Sequence, residues 1–192
     1  MQYFASAGQI IVNFVFAALI GLVMLRVLLQ IVRANFYNPI CQFLYKTTNP
    51  VLMPLRKVIP AWRNVDFAGI ALAWVLTIIK LALFYALGGQ ALGFVGLLVM
   101  ALADLGDFVL MLYFVAVLLR VILSFVSVER ANPIVPLIYQ LTDPLLRPVR
   151  RIMPALGGLD FSPAIVLLGI MLARVLVVAP ILDVGLRLAQ GA

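Results

Sequence analysis

Four long apolar runs dominate the chain, at about residues 10–32, 67–87, 108–128 and 161–180. Each is close to the roughly 20 apolar residues that a helix needs to cross a bilayer. The pattern between them differs. Residues 33–66 and 129–160 are Pro-rich and basic, with apolar positions at helical rather than continuous spacing. In the second of these, Leu145, Leu146, Val149, Ile152 and Met153 fall on one face of a helix and Arg147, Arg150 and Arg151 on the other. In the first, Val51, Leu52, Leu55, Val58 and Ile59 oppose Arg56 and Lys57. Such elements predict amphipathic helices at a membrane surface, with their basic residues at headgroup level.

The element order repeats. A shift of 94 residues places Arg26 on Arg120, Asn38-Pro39 on Asn132-Pro133 and Tyr45 on Tyr139. It places Thr48-Asn49-Pro50 on Thr142-Asp143-Pro144, Arg56 on Arg150, Asp66 on Asp160 and Lys80 on Arg174. Over residues 26–67, 17 of 42 aligned positions are identical without a gap. Apolar sequences can match by chance at Leu and Val, but not at Pro, Arg and Asp in register. The fold expected is therefore all-α, with four transmembrane helices in two tandem units. The units span residues 1–87 and 104–192.

Residues 88–103 are apolar and lie between the units. A helix of 16 residues reaches only about 24 Å, short of the roughly 30 Å hydrocarbon core. A fifth span would also put the two basic segments on opposite sides, against the positive-inside rule. These residues therefore read as a short outer-face helix or re-entrant piece. Gly89 and Gly93 give it a GxxxG spacing, a weak helix-packing signal.

Within each basic segment, Asn38-Pro39 and Asn132-Pro133 read as N-cap and first-turn proline. Pro50 and Pro144, after Thr-Asn and Thr-Asp, read as the end of one short helix and the start of another. Pro60 and Pro154 end the second. Four short interfacial helices follow from this reading.

Composition sharpens the picture. The chain of 192 residues is 66% hydrophobic and 11% charged, against about 45–50% and 25% in soluble domains. Its 14 Lys and Arg outnumber 7 Asp and Glu. Nine of those cations lie in the two basic segments, so both segments are expected in the cytoplasm and both termini in the periplasm. The charge reads as lipid-directed, with no direct nucleic-acid contact. With no His and one Cys, neither an intrachain disulfide nor a His-dependent site can form. Nucleotide, metal and cofactor motifs are missing. No enzymatic function, cofactor or metal is expected.

The paired pattern NPI…Y..T(N/D)P…P.R(K/R)..P….DF, present in both units, resembles the YggT family of bacterial multi-pass membrane proteins, called YlmG in other bacteria and in plastids. The resemblance covers nearly the whole chain. It implies a multi-pass protein of the inner membrane, from a family connected with cell-division gene neighbourhoods, osmotic tolerance, plastid nucleoid distribution and cytochrome maturation. It implies no enzymatic activity. Copy one departs from copy two in having Asn49 for Asp143 and Met53 for Arg147.

Two groups of cations are functional candidates. Arg56, Lys57, Arg147, Arg150 and Arg151 are expected to set topology and to bind anionic headgroups or partner membrane proteins, self-association included. Arg26, Lys80, Arg120 and Arg174 lie inside the spans. Arg26 and Arg120 are close enough to the inner boundary to snorkel. Lys80 and Arg174 lie deeper, and with no acidic residue assigned to any span they snorkel outward, form a polar site between the repeats, or meet a partner or permeation path. Asp66 and Asp160 either cap the following spans or pair with Arg56 and Arg150. The leading functional expectation is a scaffold or assembly factor. The alternative is a small transporter or channel with the four intramembrane cations on its path.

Overall fold

The computed structural model describes residues 2–125, 132–152 and 160–191. The predicted stop at Pro154 and the residues Arg130 and Met153 lie outside them. Among the described residues the regular structure is helical, with turns between the helices and an isolated bridge between Trp62 and Val65. The first unit comprises α1 (Gln2–Ile31), α2 (Pro39–Arg56) and α3 (Phe67–Leu87). The second comprises α4 (Phe94–Phe125), α5 (Ile134–Ile152), α6 (Ser162–Ala173) and α7 (Ala179–Gln190). A π-helical turn, Arg174–Val178, joins α6 to α7 without a break. It ends two residues before Pro180, whose missing N–H and ring disturb the regular ladder. Among the described residues, four helices are long and apolar enough to cross a membrane: Tyr3–Ile31, Phe67–Leu87, Phe94–Phe125 and Ser162–Gln190.

Two sequence expectations are corrected. The stretch 88–103 is not a separate outer piece. From Phe94 onward it is the first part of the 32-residue α4. The third span is therefore longer than its purely apolar run, and Asp104 and Asp107 lie within it. Of the GxxxG pair, only Gly93 approaches another helix, α7. Gly89 sits in a turn at φ +75°, with open space around it, and the Gly93 N–H donates to Ala189 O. The close helix contact comes one turn later. A Cβ on Gly96 would lie 2.2 Å from the Ala189 backbone nitrogen, and one on Gly185 would lie 2.9 Å from Met100 N. Small residues let α4 and α7 approach this closely.

The second correction concerns the basic segments. Each forms one helix, so there are two interfacial helices rather than four. Pro50 and Pro54 lie inside α2, and Pro144 and Pro148 inside α5. Spaced by four, each pair falls on one face, and all four prolines are exposed. The carbonyls they leave unpaired therefore lie on the outer side of the helix, and the helix continues through them. The predicted starts hold: the Asn38 and Asn132 side chains accept from the N–H groups of Ile40 and Ile134.

The apolar faces of α2 and α5 turn onto the spans. Leu52 and Leu146 are fully buried, the latter with Val117, Val166 and Ile170. Leu44 of α2 and Leu137 of α5 meet on Leu29 of α1. Ile20, Val23, Met24, Ala73 and Leu105 join α1, α3 and α4 into one core across both units. Asn38 adds a polar tie between the units, its side-chain amide donating to Pro133 O at 2.6 Å.

Candidate functional site

Each unit holds its interfacial helix to its first span through one arginine. Arg26 donates to Thr48 Oγ1 at 2.5 Å and to Asn49 Oδ1 at 3.0 Å. The Thr48 hydroxyl in turn donates to Leu44 O one helical turn back, which aims its oxygen at the guanidinium. The Tyr45 ring lies 4.4 Å from the guanidinium carbon. The second unit repeats this. Arg120 donates to Thr142 Oγ1 at 2.8 Å and Asp143 Oδ1 at 2.7 Å, with Tyr139 stacked at 4.4 Å. Arg26 and Arg120 are therefore buried anchors rather than snorkelling residues. Tyr45 and Tyr139 complete cation–π pairs with them.

A second arginine ties the end of each interfacial helix to the next span. Arg56 binds Asp66 at 2.5 Å, and Asp66 also accepts from Gly69 N at the start of α3. Arg150 binds Asp160 at 2.7 and 3.0 Å, and Asp160 accepts from Ser162 N. Asp66 forms both the cap and the ion pair, alternatives on sequence, whereas Asp160 forms the ion pair and accepts from Ser162 N while Phe161 occupies the N-cap of α6 without a side-chain cap. The two sites differ in burial: Asp66 is fully buried, while Arg150 and Asp160 are each 41% exposed. The hydrogen bond to Asp66 pushes the Arg56 guanidinium above its usual range, against the opposing effect of burial. Asp143 is desolvated by burial, which pushes its pKa up, but hydrogen bonds from Arg120 and Arg147 outweigh this and hold it below the usual carboxylate range. Asp160 behaves alike, with Ser162 and Arg150 outweighing desolvation.

The deeper cations converge on α4. Lys80 of α3 donates to Asp104. Arg174 forks onto Asp107 at 2.6 and 2.9 Å. The expectation that no carboxylate lies in a span to meet them is overturned by the length of α4. Asp104 and Asp107 are one turn apart, so one helix face neutralises a cation from each unit. A cavity of about 570 Å³ lies beside them, lined by Asp104, Asp107, Arg174 and apolar residues of the π turn and α7.

The basic candidates divide. Arg147 pairs with Asp143 at 2.9 Å, and Arg56 and Arg150 are committed to Asp66 and Asp160. Lys57 and Arg151 are exposed and make no ion pair among the described residues. Pro39 and Pro133 open the helices, while Pro50 and Pro144 are interior. No group of metal-ligating residues occurs among the described residues. The residues that sequence reasoning passed over are Thr48, Thr142, Asp104, Asp107 and Ser162. One signal was available: the Thr–Asn/Asp pair recurs 22 and 23 residues after Arg26 and again after Arg120.

Comparison with known proteins agrees with this doubled architecture. The family model for CCB3/YggT matches twice, at residues 5–87 and 99–181. A Vibrio alginolyticus protein, described as an uncharacterized protein in the proC 3′ region, is 39% identical over 178 residues, covering 89% of this chain and 93% of its own. The Escherichia coli K12 protein YggT, described as uncharacterized, is 41% identical over 146 residues, covering 76% of this chain and 75% of its own. No solved structure matches. With both units matched in register, the chain belongs to the CCB3/YggT family.

Proposed function

We propose that the protein is a non-enzymatic scaffold or assembly factor of the bacterial inner membrane, engaging anionic lipid or partner membrane proteins through its two basic segments. The observation that carries this reading is the division of its cations. Those inside the spans are each bound to a partner within the chain: Arg26 to Thr48 and Asn49, Arg120 to Asp143, Lys80 to Asp104 and Arg174 to Asp107. Of the other cations without an ion pair among the described residues, Arg33, Lys46, Lys57, Arg63 and Arg151 lie exposed on the basic segments, and Arg187 is exposed in the last turn of α7. Transport along a path lined by Arg26, Lys80, Arg120 and Arg174 has less support, because each of these is held by its own partner.

Two spans separate α2 from α5, so the basic segments share one side, which charge asymmetry assigns to the cytoplasm. Single cysteines at Gly89 and Gln190, in a Cys41→Ser background, should react with an impermeant reagent on intact spheroplasts. A cysteine at Asn64 should react only after lysis. Labelling of Asn64 from outside would reverse the orientation. The lipid reading is tested by Lys57→Glu with Arg151→Glu, which should reduce the anionic lipid co-purifying with the protein by at least about tenfold. Each surface cation contributes about 1 kcal/mol to such attraction. Unchanged lipid composition would count against it.

A further inference from the structure

The two units are not equivalent on their basic side. Between α1 and α2 lies a cavity of about 290 Å³, with Arg26, Arg33, Arg56, Phe36, Leu44 and Tyr45 in its wall. We propose that this cavity is a selective site for the phosphate group of an anionic phospholipid. The proposal rests on the reading above, that the basic segments engage anionic lipid, and assigns that role to one unit and one cavity.

Charge is the first argument. Three arginines line the cavity, and the carboxylate that meets one of them, Asp66, is taken by Arg56. Arg26 is held only by the neutral oxygens of Thr48 and Asn49, so its charge is not cancelled. It is 5% exposed, and its Nε has no hydrogen-bond partner among the described residues. A buried charged donor without an acceptor is costly, and a phosphate oxyanion is the ligand a guanidinium fork fits best.

The backbone is the second argument. Arg33 follows the end of α1 at φ +55°, in the left-handed region, with Ala34 N–H closing back onto Leu29 O at 2.8 Å. Glycine is the favoured residue at such a helix end. Arg33 nonetheless occupies this position and lines the cavity, as a ligand contact would require.

Divergence between the copies is the third. Asn49 corresponds to Asp143, which neutralises Arg120 and also binds Arg147. In the sequence Arg33 corresponds to Ser127 and Phe36 to Arg130. The second unit thus supplies its own anion where the first leaves room for one. Phe36 and Leu44 in the wall, and the position at the end of a span, favour a phospholipid over free phosphate.

The test uses the full chain in a non-ionic detergent, titrated with dioctanoyl phosphatidylglycerol and followed by native mass spectrometry. Dioctanoyl phosphatidylcholine and inorganic phosphate are run alongside. One phosphatidylglycerol should bind in preference to phosphatidylcholine. Arg33→Gly should weaken it about fivefold with no loss of melting temperature, since glycine suits the backbone there. Asn49→Asp, which gives copy one the internal anion of copy two, should weaken it at least as much. Affinity within twofold of the parent in both variants would overturn the site. If Lys57→Glu with Arg151→Glu still reduced binding in that case, the broader lipid reading would survive. No preference for phosphatidylglycerol in the parent protein would overturn both. Equal occupancy by inorganic phosphate at the same concentration would overturn the assignment to lipid.

Discussion

Asp104→Leu is expected to destabilise the protein by about 3 kcal/mol, although it makes the span more apolar. The substitution leaves Lys80 without its counter-ion at a position only 8% exposed. The neighbouring carboxylate one turn on, Asp107, is already forked by Arg174. An unpaired cation in the interior of a span costs about 2.5–3.5 kcal/mol on insertion scales, and breaking a buried pair from one side costs about 3–5 kcal/mol. Lys80→Leu with Asp104→Leu should recover most of the loss, because two well-packed apolar groups can replace a buried ion pair at little cost. The measurement is unfolding of the detergent-solubilised protein for the parent, both single variants and the double. A double variant no more stable than Asp104→Leu would show that the pair contributes more than mutual neutralisation. Asp107→Leu should be milder, since the Arg174 side chain is 41% exposed and borders the cavity beside α7.

That pair shows where the sequence stops being informative. Spans, repeat and basic segments could be read because their signals are local: run length, helical spacing, and Asn-Pro at a helix start. Lys80 and Asp104 are 24 residues apart, and Arg174 and Asp107 are 67 apart. Local hydropathy therefore treats each charge alone and places the acidic ones at a boundary. Doing so cut α4 at Asp104 and left residues 88–103 as a separate piece. The interior prolines misled for a related reason. Thr-Asn-Pro has the local form of a stop and a new cap, and only the shared exposed face of Pro50 and Pro54 lets one helix run through both. Arg26 shows the limit of depth arguments. Its distance from the span end allowed snorkelling, but Thr48 and Asn49 return to it from α2 and hold it inside.

The two interhelix carboxylates, equivalent by sequence, should respond very differently to the same change. Asp66→Asn is expected to cost about 3 kcal/mol and Asp160→Asn less than about 1 kcal/mol. Asparagine caps a helix about as well as aspartate, so the bonds from Gly69 N and Ser162 N can persist in both variants. What is lost is the charge pair, and its surroundings set its worth. Asp66 is fully buried and its partner Arg56 is 27% exposed. Removing the anion there strands a largely desolvated guanidinium beside Arg26, whose charge has no carboxylate of its own. Arg150 and Asp160 are each 41% exposed, so solvent or headgroups can take over the lost contact, as at surface pairs that contribute about 0–1 kcal/mol. Asp66→Ala should add roughly 1 kcal/mol to the cost of Asp66→Asn, the cap's own share. A double-mutant cycle isolates the pair: Arg56→Gln should add little on top of Asp66→Asn, because the interaction has already gone. Similar costs for Asp66→Asn and Asp160→Asn, or full additivity in the cycle at Asp66, would mean that each carboxylate acts only through its bond to a backbone N–H and that burial of the first pair has no energetic consequence.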